Sequence, residues 1–141
     1  LFRSGVLSRL AATIPMVFCA SRQLAGKYKT MPKDLNGAPL IVPTAPDQTY
    51  HAMQNYIQLN KIKPRIAAEV QDLELVKSLT ASGKGIGLLN LYAVMNSPER
   101  KSLVVLKDQS RYKIQDTIYL ISRQKKTPNP LVDQVLEKFH L

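Results

Sequence analysis

The chain alternates between short, continuous apolar runs and longer stretches that are apolar on one face only. Ile14 to Ala20 (Ile-Pro-Met-Val-Phe-Cys-Ala) is almost wholly apolar, with β-branched and aromatic members. Such a run predicts a strand covered on both faces. Pro39 to Val42, stopped by Pro43, predicts a second, and Arg65–Val70, Ile86–Leu89, Leu103–Leu106 and Thr117–Ser122 predict four more. Between these runs the period changes. From Gln48 to Asn60, the residues Tyr50, Met53 and Ile57, with Tyr56 beside them, keep the three-to-four spacing of one helix face, and Pro64 follows the stop. Gln71-Asp72 opens another helix with Asp72 as its cap, and Leu73, Leu75, Val76 and Leu79 are its expected buried stripe. Ser82-Gly83-Lys84-Gly85 ends it. Leu91 to Asn96 predicts a short helix stopped by Ser97-Pro98. Pro130 to Leu141 predicts a final helix with an apolar stripe of Leu131, Val132, Val135, Leu136 and Phe139. Residues 1–10 show no period, 21–36 read as a loop with a short helix at Pro32–Leu35, and 107–114 as a polar loop.

Strands alternating with helices mean an α/β fold with a largely parallel sheet and right-handed crossovers. Ligands of such sheets sit beyond the carboxyl ends of the strands, near helix N-termini. That rule directs attention to Thr44, Asp47, Gln48 and Thr49, which follow one strand and open a helix, and to Asn90, which ends another. Hydroxyl and amide side chains beside backbone N–H groups there can hold a small polar ligand, although capping by Thr44 or Asp47 accounts for part of the pattern.

Composition narrows the classes. At 141 residues the chain suits one domain, or a domain with part of a second. A hydrophobic content of 45% excludes a disordered chain. No stretch reaches the roughly 18 to 20 apolar residues of a membrane span, so no membrane partner is expected. The single cysteine, Cys19, excludes an internal disulfide and fits a reducing, cytoplasmic compartment. The N-terminal stretch is interrupted by Arg9 and does not resemble a signal peptide, and the Leu1 start is expected to mark a processed or excised chain.

Catalytic chemistry finds little support. His51 and His140 are far apart on predicted helices, and Cys19 lies inside an apolar run where a thiol is inert. Gly83-Lys84-Gly85-Ile86-Gly87 runs from helix into strand, the reverse of a phosphate-binding loop, and reads as a C-cap followed by close packing. Glu69, Asp72 and Glu74 are the densest acids, explained by a strand end and a cap rather than by catalysis. No enzyme, metal site or cofactor is expected. The net charge is +10, and residues 1–33 hold Arg3, Arg9, Arg22, Lys27, Lys29 and Lys33 with no acid; Arg123, Lys125 and Lys126 form a second cluster. A nucleic-acid module would need a groove-reading helix or an aromatic platform in the basic stretch. Neither is visible, because Phe2, Phe18 and Tyr28 are scattered, and the charge reads as solvated surface.

Several segments resemble one family. Ile14 to Ser21 looks like the crossover strand of the effector domain of LysR-type transcriptional regulators. Lys33-Asp34-Leu35-Asn36-Gly37-Ala38-Pro39-Leu40-Ile41 is similar to the family's aspartate-leucine, glycine, proline-leucine-isoleucine stretch. Glu69 to Leu89 resembles its helix that ends in glycine and feeds a glycine-isoleucine-glycine strand, and Thr117 to Arg123 resembles the returning crossover. Pro64-Arg65-Ile66, Glu69 and Asp72 to Lys77 look closest to regulators of sodium–proton antiporters, whereas Asn90 departs from the proline many members carry after that strand. The resemblance implies a periplasmic-binding-protein-like (type 2) lobe: residues 1–22 a crossover strand from an absent first lobe, 23–114 the second, effector-binding lobe, and 115–141 the returning strand and last helix. It also implies an effector, small molecule or ion, held between lobes by Thr44, Gln48, Leu89 and Asn90. The intact regulator would be a dimer or tetramer, contacting DNA through an N-terminal domain and not through this region. A solute-binding protein of the same fold class is the alternative, and a direct nucleic-acid-binding module the next. Alanine at Thr44 or Asn90 is expected to weaken the effector response and leave the fold intact.

Overall fold

The structure, a computed structural model, describes residues 5–44, 46–123 and 129–139. It divides into two compact units, 15–114 and a smaller one of 1–14 with 115–141. The elements are β1 (Val6–Ser21), α1 (Arg22–Ala25), β2 (Pro39–Pro43), α2 (Gln48–Leu59), β3 (Arg65–Val70), α3 (Leu73–Ala81), β4 (Ile86–Asn90), α4 (Leu91–Met95), β5 (Leu103–Val105), β6 (Ile114–Arg123) and α5 (Pro130–Lys138). Single 3-10 turns occupy Lys33–Leu35 and Pro98–Lys101.

The sheet runs β3-β2-β4-β1-β5, with β6 also paired to β1. β2 is parallel to both β3 and β4, as the alternation of strand and helix requires. β1 is antiparallel to β4 and β5, so the sheet is mixed. Period two explains the continuous apolar runs. Phe18, Ala20, Leu40, Val42, Ile86 and Leu88 face one core with Met53 and Tyr56 of α2. Their neighbours Cys19, Ile41 and Leu89 face a second core with Val76 of α3. Both sheet faces are covered, so both alternating sets must be apolar.

Three local expectations are corrected. β1 begins at Val6, not Ile14. Its first half is mostly exposed or half-buried, and β6 pairs with β1; such a ribbon demands no apolar face, which is why residues 6–13 show no period. β6 likewise starts at Ile114. The stripe of α3 is rotated: Leu73 and Leu75 are 57% and 49% exposed, while Val76, Lys77 and Thr80 are buried. The cause is Gly87, whose bare Cα lets α3 seat Val76 and Thr80 against β4. Lys77 is buried only because its ammonium lies 2.6 Å from Glu74 Oε2 and 3.9 Å from Glu99 Oε2.

In the smaller unit, Asn129 caps α5, accepting from the Leu131 N–H at 3.1 Å. The expected stripe is present, and Leu131, Val135 and Phe139 stand exposed along it. His140 and Leu141, at the end of the predicted helix, lie outside the described residues.

Candidate functional site

Parallel pairing places the carboxyl ends of β2 and β4 side by side. Leu40 is level with Ile86 and Ile41 with Gly87, so Thr44 and Asn90, equally far along, leave the sheet together. Neighbouring strands are about 5 Å apart. β3 ends at the same edge, and the Thr44 N–H donates to Val70 O at 3.3 Å. Each of these strands feeds a helix, so α2, α3 and α4 all begin here.

Side-chain caps close those helix starts. Asp47 Oδ1 accepts from the Tyr50 N–H at 2.6 Å, and Asp72 Oδ1 from the Leu75 N–H at 2.9 Å. Asn90 Oδ1 accepts from Tyr92 N–H (2.9 Å) and Ala93 N–H (3.3 Å), which leaves its Nδ2 amide as the donor for a ligand. Alanine at Asn90 therefore removes a helix cap as well as a ligand group, so it is no longer a fold-neutral probe. Thr44 and Gln48 are exposed, and Gln48 is the first residue of α2. Leu89 is different. Its side chain is 3% exposed and belongs to the second core with Cys19 and Ile41, so its backbone is what it can offer a ligand.

Beside this edge, at the ends of β2 and β3, lies a cavity of about 150 Å³. Pro43, Val70 and Leu73 form apolar walls, and Asp47, Thr49 and Gln71 supply polar groups. Asp47 and Thr49 come from the loop singled out in the sequence; Gln71 and Leu73 do not. Gln71 directly follows the strand end at Val70, as Thr44 follows Pro43, so the strand-end rule applied to β3 would have found it.

The other chemistry-bearing residues are accounted for structurally. His51 is exposed on α2, its ring edge-on to Tyr50 at 5.5 Å. Cys19 is fully buried, and burial pushes its thiol up to about 12, far from a reactive thiolate. Asp72 caps α3 and Glu74 pairs with Lys77. His140, Arg3, Phe2, Lys125 and Lys126 lie outside the described residues. Among the described residues no three His, Cys, Asp or Glu side chains come together as metal ligands. No helix among them is long and apolar enough to cross a membrane.

Comparison with known proteins agrees with this architecture. The HTH-type transcriptional activator CmpR of Synechocystis sp. is 29% identical over 114 residues, covering 79% of this chain. The chain spans 37% of that relative's length. The regulatory domain of Synechocystis CcmR, solved in complex with 2-PG, superposes at a TM-score of 0.79 and 22% identity, over 99% of this chain and 67% of its own. CbnR, a LysR family transcriptional regulator, superposes at 0.75 and 22% identity, over 97% of this chain and 47% of its own. CmpR and CbnR are transcriptional regulators. The model of the LysR substrate binding domain matches residues 3–140, so the chain belongs to that family.

Proposed function

We propose that this chain is the effector-sensing part of a LysR-type transcriptional regulator of the cytoplasm. Residues 23–114 form the effector-binding lobe, and 1–22 with 115–141 are the crossover strands and last helix of a two-lobed domain. The observation that carries this reading is the shared edge: Thr44 and Asn90 follow or end adjacent parallel strands, Gln48 opens the helix after the first of them, and a cavity with three polar groups, which none of the three lines, lies at the ends of β2 and β3. The likeness to a regulatory domain solved with 2-PG supports a small-molecule effector. Effector binding would favour one arrangement of a dimer or tetramer over another and so reposition DNA-binding domains N-terminal to this region. Sodium is the alternative effector, suggested by the likeness to regulators of sodium–proton antiporters.

The test is thermal unfolding of the chain with added 2-PG, and with NaCl against KCl at equal ionic strength. A ligand at about 100 times its dissociation constant stabilises by roughly 2.7 kcal/mol. The expected result is a saturable rise for one effector that Thr44→Ala or Asn90→Ser abolishes, serine being able to keep the α4 cap. A rise that both variants retain would remove these residues from the site.

A further inference from the structure

Six of the 20 basic residues, scattered in sequence, are brought by the sheet to one edge. The pairings that bring Thr44 and Asn90 together also align the opposite ends of the strands. Arg65 is level with Pro39. Leu40 is level with Ile86, which sets Pro39 beside Gly85. Cys19 is level with Gly87, which sets Ser21 beside Gly85, and Ser21 is level with Leu103. One row, Arg65–Pro39–Gly85–Ser21–Leu103, therefore crosses the sheet of 15–114 from β3 to β5. Four strand spacings make it about 19 Å long.

Cations flank this row along its length. Lys63 and Arg65 open β3, Lys84 precedes β4, Arg22 follows β1, and Arg100 with Lys101 precede β5. All six are exposed. The ion pairs among the described residues involve Lys77 and Lys113, none of these six. Arg22 Nε donates to Lys101 O at 2.6 Å, which ties two of the cations together across β1 and β5. Acids are few near this edge. Glu99 faces Ser97 and Lys77, and Asp34 accepts from the N–H groups of Lys29 and Thr30 at 2.8 and 2.7 Å. The carboxyl edge has the opposite sign, with Asp47, Glu69, Asp72 and Glu74.

We infer that the amino edge of this sheet is a contact surface for the phosphate backbone of duplex DNA. Cations without an ion-pair partner among the described residues, spread along this edge, suit a line of phosphates, and duplex DNA carries one charge per about 1.7 Å of axis. The row offers neither a protruding helix nor a stacking platform, so it holds DNA without reading its sequence. Among polyanions, DNA is favoured because the chain belongs to a family of transcriptional regulators. The inference stands independently of the effector site, which occupies the other edge.

The test is fluorescence anisotropy of the chain with a labelled random duplex of about 20 base pairs, titrated at about 50 to 200 mM salt. Four phosphate contacts give a log–log slope near −3.6 and a roughly 150-fold loss of affinity over that range. The variant Lys63→Gln/Lys84→Gln/Lys101→Gln is expected to flatten the slope by up to about 2.7. The charge-matched control Lys107→Gln/Arg123→Gln/Lys138→Gln, which spares the six cations, is expected to stay near the wild-type slope. Circular dichroism verifies that both variants fold. Wild-type binding by the edge variant, or an equal loss in the control, overturns the inference. So does tighter binding of poly-glutamate than of the duplex at matched charge and salt, which would make an acidic protein the partner.

Discussion

Gly87 sets how close α3 can approach the sheet. A Cβ built there would collide with Thr80 Oγ1 and lie 3.1 Å from Val76 Cγ1. Thr80 is fully buried and its hydroxyl donates to Val76 O at 2.7 Å, so it cannot swing aside without losing that bond. Gly87→Ala is therefore expected to destabilise the chain by about 1–3 kcal/mol in urea unfolding, the usual cost of overpacking a filled core. Thr80→Ala, which removes the atom that blocks the Cβ, is expected to recover part of that loss in the double variant. Additive losses would show that the two residues do not share the space.

At the scale of elements, the burial of Lys77 decides how α3 is held to the turn at Pro98–Lys101. Glu74 comes from its own helix and Glu99 from the turn, so one ammonium bridges two elements. The Ser97 hydroxyl beside Glu99, its own backbone N–H and Lys77 all hold the Glu99 carboxyl below its ordinary value. Buried ion pairs seldom outweigh an apolar replacement, whereas an ammonium left without a carboxylate is costly. Lys77→Met is expected to change the unfolding free energy by less than about 1 kcal/mol, and Glu74→Gln/Glu99→Gln to destabilise the chain more than Lys77→Met does. Urea titrations of the two variants check this.

On the scale of the molecule, the larger unit is polarised. Its parallel strands all point from a basic edge to one carrying the acids and the cavity. Two binding functions at opposite ends of the same strands need not compete. If both exist, a saturating effector is expected to leave the DNA affinity of the isolated chain within about twofold, because any larger coupling would require differential contacts between two states. Anisotropy titrations with and without effector measure that ratio.

Much of this was legible in the residues alone. Continuous apolar runs, three-to-four spacing and capping residues located the strands and helices of 15–114, because both sheet faces are buried and each period is then unambiguous. They also placed Thr44, Gln48 and Asn90 where strands give way to helices, since strand ends followed by helix caps are local patterns. The first half of β1 escaped because a mostly exposed ribbon carries no hydrophobic period. The rotation of α3 escaped because it depends on a glycine on another element, and a salt bridge lets a lysine occupy the buried face. Leu73 joined the cavity only when β3 was laid beside β2, whereas Gln71 stood at a strand end that the sequence already offered. The net charge of +10 was a property of composition, but its alignment was not. Residues as distant as Arg22, Lys63, Lys84 and Lys101 become neighbours along one edge only through strand order and register, which long-range backbone hydrogen bonding decides.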